Sequence, residues 1–169
     1  MVNLLRKLLS FCFVVLMASC INDAPKVRED LKVGDMIPDF LVEMNDGSSV
    51  SSTQLCDGVS VIMFFHTTCP DCARTLPEVQ KLYDSYQLVG CKFVLISREE
   101  TGDSIGIYWT EKDLTMPYSA QATRSVYELF ASSRIPRVYI CVNGVIKAIY
   151  TDSPTPTYEE MSSVLAELI

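Results

Sequence analysis

Between Gly34 and the C-terminus, apolar positions switch repeatedly between two periods. Val59–Phe65 (VSVIMFF) and Lys92–Ser97 (KFVLIS) are short, nearly continuous apolar runs, as expected of strands buried on both faces. Between them Leu76, Val79, Leu82, Tyr83 and Tyr86 recur at helical spacing. That segment contains Pro77, whose ring removes one backbone hydrogen bond and should kink the helix. Asp103–Leu114 and Arg124–Ser132 also read as helices. Phe40–Met44 and Ser48–Ser51 flank Asn45-Asp46-Gly47, and Arg137–Val142 and Val145–Tyr150 flank Asn143-Gly144. Both are hairpin signals, because Asp-Gly and Asn-Gly tolerate the positive φ angles of tight turns. Thr157–Ile169 closes the chain as a helix with an acidic first turn, Glu159 and Glu160, suited to the positive end of the helix dipole. The order hairpin, βαβ, helices, hairpin, helix predicts a three-layer α/β domain with a mixed central sheet.

The beginning of the chain follows neither period. Arg6 and Lys7 precede Leu8–Met17, about ten apolar residues, which suits a signal peptide and falls short of the roughly twenty that a spanning helix needs. Ala18 and Ser19 are small and directly precede Cys20. The ending Met17-Ala18-Ser19-Cys20 resembles a bacterial lipobox, in which the peptide is cut before the cysteine and that cysteine is lipidated; the plainer alternative is a secretory signal with an incidental cysteine. Residues 21–33 are polar and mixed in charge, like a tether. The expected organisation is a signal peptide over 1–19, lipidated Cys20 and a tether over 20–33, and one domain over 34–169. The expected place is then the bacterial cell envelope, on a lipid anchor facing the periplasm.

Charge narrows the choice of partner. The 169 residues are 49% apolar with a formal charge of −7, and signal cleavage would remove Arg6 and Lys7 but no acid. Phosphate backbones need a basic face, so a nucleic-acid partner is not expected. The glycines form no phosphate loop, and no cofactor pattern is present.

Of seven cysteines, only Cys69 and Cys72 form a motif, Cys69-Pro70-Asp71-Cys72, at the junction where a buried strand ends and a helix begins. A helix N-terminus presents free N–H groups and partial positive charge, which favour a thiolate. Cys69 would be the exposed nucleophile, and Cys72, one turn inward, the resolving thiol of a redox disulfide. Pro70 suits the first helical turn, where a missing N–H costs nothing. Two other readings stand beside this one. His66-x-x-Cys69-x-x-Cys72 could be half of a zinc site, but a structural zinc wants four ligands, usually in two pairs, so no metal is expected. A purely structural disulfide closing so short a loop would stabilise little. Cys91 and Cys141 read as small hydrophobes, Trp109 and Tyr108 as core or groove lining, and Cys56 stays unassigned.

VSVIMFFHTTCPDCARTLPEV resembles the strand, active-site loop and kinked first helix of thioredoxin-like proteins. Pro77 stands five residues after Cys72, where that family keeps its kink proline, and Ile135-Pro136 before a strand resembles its cis-proline loop. The extra hairpin beginning Val33-Gly34-Asp35-Met36-Ile37-Pro38-Asp39-Phe40 and the helix–strand insertion around 103–120 are similar to the TlpA/ResA branch of the redoxin (AhpC/TSA) superfamily. The resemblance covers residues 33–169. It implies a thioredoxin-like fold and thiol–disulfide oxidoreductase activity on disulfide-containing envelope proteins. It further implies an upstream membrane electron donor, no cofactor, and a substrate groove formed by Ile135, Pro136 and Arg137.

Departures from the family are specific. The usual tryptophans at and three residues before the position preceding Cys69 are Thr68 and Phe65. The family's buried acid aligns with Met63, and a glutamate of some reductases aligns with Thr75. Glu43, Glu78 and Asp71 are the remaining acids that could activate Cys72, each otherwise a solvated surface acid. Asp71 would repel a thiolate at Cys69, whereas Arg134 and Arg137 would act the opposite way if they approach the sulfurs. The usual threonine after the cis-proline is Arg137. Competing functions are a thiol peroxidase, whose threonine and proline positions hold His66 and Ile62 here, and a lipid-anchored binding protein with idle thiols.

Overall fold

The computed structural model describes residues 29–169. The expected signal peptide 1–19, the lipidation site Cys20 and most of the tether lie outside the described residues. The order of elements is β1 (Leu41–Glu43), β2 (Ser49–Ser51), α1 (Ser52–Leu55), β3 (Val59–Phe65), α2 (Pro70–Tyr86), β4 (Lys92–Ser97), α3 (Gly102–Glu111), β5 (Tyr118–Ser119), β6 (Arg137–Val142), β7 (Val145–Tyr150) and α4 (Tyr158–Leu168).

The apolar run of β3 is buried along all seven residues. It lies at the centre of a sheet ordered β5-β4-β3-β6-β7. β4 runs parallel to β3, and β6 antiparallel to it. The mixed sheet expected from the pattern is therefore present, and β1–β2 forms a separate two-stranded hairpin. That hairpin docks on the β5 edge: Asn45 donates its N–H to the Tyr118 carbonyl and accepts the Tyr118 N–H, each at 2.8 Å.

Alternate residues of β3 point to opposite faces. On one face Phe65 packs against Trp109, ring centroids 5.0 Å apart, and neighbouring Phe93 against Tyr83 of α2. Helix α4 lies along α2, joined by the Tyr86 and Ser162 hydroxyls at 2.7 Å and by the Tyr158 N–H donating to Glu78 at 2.8 Å. On the other face Phe64 sits among Tyr127, Phe130 and Tyr139. Phe40, just before the hairpin, packs edge-on to Phe130. Thr157 caps α4 through a reciprocal box with Glu160, which satisfies two otherwise free backbone donors.

The helix expected over Arg124–Ser132 is reduced to one 3₁₀ turn, Tyr127–Leu129. A 3₁₀ turn eclipses side chains three apart, so one turn suffices to bury both Tyr127 and Phe130 against Phe64. Beyond it, Ser132 is taken by Asp30, its N–H donating to the carboxylate at 2.7 Å and its hydroxyl at 2.9 Å. Chain propagation into a helix would break those bonds.

The β6–β7 turn turns on Asn143 and Gly144, with φ of 50° and 78°. A Cβ on Gly144 would stand 2.6 Å from the Cys56 sulfur and 2.8 Å from that of Met36. Gly144→Ala combines this clash with left-handed backbone and is expected to cost about 1–3 kcal/mol, read as a fall in the urea midpoint at unchanged slope.

Candidate active site

Three strand ends meet at one edge of the sheet. β3 ends at Phe65 and releases His66-Thr67-Thr68. Cys69 then caps α2 in an extended conformation, with Pro70 in the first helical turn. The Cys69 N–H donates to the His66 carbonyl at 3.1 Å and its carbonyl accepts the Ala73 N–H at 3.0 Å. Its side chain is half-buried, while Cys72 is completely buried, and both are free thiols. The helix thus presents one accessible sulfur and hides the other, as the spacing suggested.

Opposite them lies the loop before β6. The Ile135–Pro136 peptide is cis, Ile135 and Pro136 are buried, and the Cys69 thiol donates to the Ile135 carbonyl at 3.6 Å. Arg137, expected in the substrate groove, is placed differently. Only 7% exposed, its guanidinium donates to Asp30 and, at 3.2 and 3.1 Å, to the Ser133 carbonyl. Those bonds hold the charge inside the domain, so it neither faces a groove nor lies on the surface. Burial alone would raise the Asp30 carboxyl, but the Ser132 hydrogen bonds and the Arg137 charge hold it below its ordinary range. Arg134 stays exposed, with Asp152 as its nearest acid at 3.9 Å.

Burial pushes the Cys72 thiol well above its ordinary range, and Cys69 and Asp71 push the same way; a backbone hydrogen bond from His66 opposes them. Asp71 does not act alone, because the Arg74 guanidinium one turn on donates to its carboxylate. Thr75 is buried and returns its hydroxyl proton to the Asp71 carbonyl at 3.0 Å, a bond within the helix.

Of the acids weighed as helpers of Cys72, Glu43 is exposed on β1. Glu78 accepts from Lys81 and the Tyr158 N–H at the α4 start. The acid that reaches the active-site loop is Glu100, whose side chain is 6% exposed. It accepts the Thr67 N–H at 2.9 Å and the Thr67 hydroxyl, and lies 3.7 Å from His66 Nδ1. Tyr108 of α3 lies near the same residues: burial, then the nearness of Cys72 and Glu100, raise its phenol. A usable signal for Glu100 existed, since residues just past the C-terminal end of a parallel strand gather at the functional edge of such sheets. His66 Nδ1 is engaged by the Thr68 hydroxyl at 3.1 Å. Among the described residues no three His, Cys, Asp or Glu side chains come together as a metal-binding group.

Residues 33–149 match the AhpC/TSA family. Over 123 residues the chain is 32% identical to the thiol-disulfide oxidoreductase ResA of Oceanobacillus iheyensis, covering 70% of this chain and 64% of that one, just under two thirds of the relative. It is 25% identical over 144 residues to ResA of Halalkalibacterium halodurans, covering 84% and 80% of the two chains. The thioredoxin domain of a thiol-disulfide oxidoreductase from Bacteroides vulgatus superposes with a TM-score of 0.70 at 16% identity, over 83% of this chain and 100% of that one. A likeness at that identity establishes the fold.

Burial also pushes the Cys91 and Cys141 thiols up to about 12. In the unfolded chain thiols ionise near about 8.5. Cys72, Cys91 and Cys141 therefore stabilise the fold fully below that pH and lose the contribution as pH climbs toward their folded values. The urea midpoint is expected to fall between about pH 8 and about pH 10, and less steeply in Cys91→Ala. In the reduced native protein, iodoacetamide should label Cys69 and exposed Cys56 while sparing Cys72, as read by peptide mass mapping; equal labelling of Cys72 would contradict its burial.

Proposed function

The chain belongs to the AhpC/TSA family, and on that footing we propose that it is a thiol–disulfide oxidoreductase that reduces disulfides of cell-envelope proteins through Cys69 and Cys72. The observation that carries this reading is the asymmetric dithiol: a half-buried sulfur at the N-terminus of α2 and a wholly buried one a turn behind it. The Cys69 thiolate attacks one sulfur of the substrate disulfide, forming a mixed disulfide and expelling the other substrate sulfur as a thiolate that takes up a proton. Cys72 then gives up its proton and attacks the Cys69 sulfur, releasing the second substrate thiol. Two electrons and two protons pass to the substrate, and the Cys69–Cys72 disulfide remains. The substrate backbone lies beside the loop that carries Ile135 and Pro136, next to the Cys69 sulfur, with the two side chains themselves packed inward. A membrane-borne dithiol donor returns the pair to the reduced state.

Direction follows from Cys72. A thiol held protonated by burial leaves poorly from a disulfide, which favours the disulfide form of the enzyme and makes the dithiol a reductant. The anchor is part of the proposal: lipid on Cys20, supported by Met17-Ala18-Ser19-Cys20 after an apolar run, tethers the domain to the envelope membrane on its periplasmic side.

Reduction of a model disulfide by the chain is expected to stop in Cys69→Ser, and Cys72→Ser should accumulate a mixed disulfide visible on non-reducing gels. Turnover unchanged in both variants would sink the exchange mechanism. Separately, Cys20→Ala should move the protein from the membrane fraction to the soluble one; an unaltered distribution would remove the lipid anchor from the proposal.

A further inference from the structure

We infer that Asp30, where the N-terminal segment joins the domain, is a positioning residue for the dithiol, acting through Ser132 and Arg137 to set the Ile135 carbonyl against the Cys69 thiol. This rests on the reading of Cys69 and Cys72 as the exchange pair.

The loop from Ser132 to Arg137 is held carbonyl by carbonyl from different parts of the chain. The Ser133 carbonyl accepts from Arg137, the Arg134 carbonyl accepts the Tyr127 hydroxyl at 2.9 Å, and the Ile135 carbonyl accepts the Cys69 thiol at 3.6 Å. Arg134 itself has a φ of 69°, a left-handed conformation that persists in a non-glycine residue only when its surroundings enforce it. Asp30 grips both ends of this loop: one carboxylate oxygen takes the Ser132 N–H and hydroxyl, and the other takes the Arg137 guanidinium. The next residue, Leu31, continues the attachment by donating to the Phe130 carbonyl at 2.9 Å.

Arg137 is what transmits the effect. Its guanidinium is nine-tenths buried, and Asp30 is its acidic partner. With that partner neutralised, a buried cation must draw in water or shift toward it. The Ser133 carbonyl bonded to the same guanidinium moves with it, two residues from Ile135. The contact at Ile135 distinguishes redox states. A thiol donates a proton to the carbonyl, whereas a disulfide sulfur has none, so the bond stabilises only the reduced form. Loosening the loop therefore shifts the pair toward its disulfide.

The test is the thiol–disulfide equilibrium of the full-length chain against dithiothreitol, read by thiol trapping. Asp30→Asn keeps size and an acceptor oxygen but removes the charge. It is expected to shift the equilibrium about threefold toward the disulfide, the scale of one modest hydrogen bond. Asp30→Glu should return part of the shift. Glu78→Gln, which loosens the start of α4 away from the loop, should lose stability without moving the equilibrium. An Asp30→Asn value equal to the wild type, or a matching shift in Glu78→Gln, overturns the inference. Should Asp30→Asn fail to fold, Ser132→Ala removes one donor to the same carboxylate and must show a smaller shift of the same sign; no shift in folded Ser132→Ala is equally fatal. A wild-type chain unable to exchange with dithiothreitol would instead sink the proposed function.

Discussion

The constraint on which the rest depends is the complete burial of β3, flanked by one parallel and one antiparallel neighbour. Because every residue of the strand is covered, its end is fixed, and the chain leaving it must turn at once into α2 with Cys69 as the cap. Parallel pairing then brings the C-terminal end of β4, and so Glu100, to that same edge. Antiparallel pairing brings the start of β6, and so Ile135 and Pro136. A sheet parallel throughout would have carried the loop before β6 to the far end. The mixed sheet brings Cys69, Glu100 and the Ile135–Pro136 loop to one edge from segments far apart in sequence.

Burial also divides labour between the sulfurs. Both occupy the first turn of the same helix and share its dipole, so the dipole alone cannot distinguish them. Solvent does: Cys69 keeps contact with water and with the Ile135 carbonyl, whereas Cys72 has none of the former and pays in a raised ionisation range. Asp71 adds to the raised range of the inner thiol while its carboxylate is held at the surface by the Arg74 guanidinium. Desolvation is the larger control on that thiol.

Local patterns in the sequence were faithful guides wherever period and turn chemistry agreed. The runs at Val59–Phe65 and Lys92–Ser97, both hairpins and the terminal helix lie within a residue or two of their expected bounds. Arg124–Ser132 failed because its helical spacing reflected only the pair Tyr127 and Phe130, which a single tighter turn can bury. The site was legible as far as its residues are neighbours: Cys69, Cys72 and their helix cap. Glu100 pairs with Thr67 across 33 positions and Asp30 with Arg137 across 107; the place of Glu100 just past a parallel strand hinted at the first, and no local pattern announces the second. Arg137 was misjudged for the same reason: standing after Pro136 it looked outward, but its burial is set by an acid at the other end of the chain.

That ion pair, with Arg137 buried and Asp30 only partly covered, is costly in a way that points to its use. Two apolar residues of similar volume would fill the same space and could leave the domain equally stable or more so. They could not, however, donate to the Ser133 carbonyl or accept from Ser132, and packing without direction would not fix where the Ile135 carbonyl points. Arginine supplies donors in a rigid fork, and aspartate supplies two oxygens that bind both ends of one loop. The residue types at 30 and 137 thus make sense as devices for orientation rather than for stability. They do so at the loop whose Ile135 carbonyl accepts the Cys69 thiol.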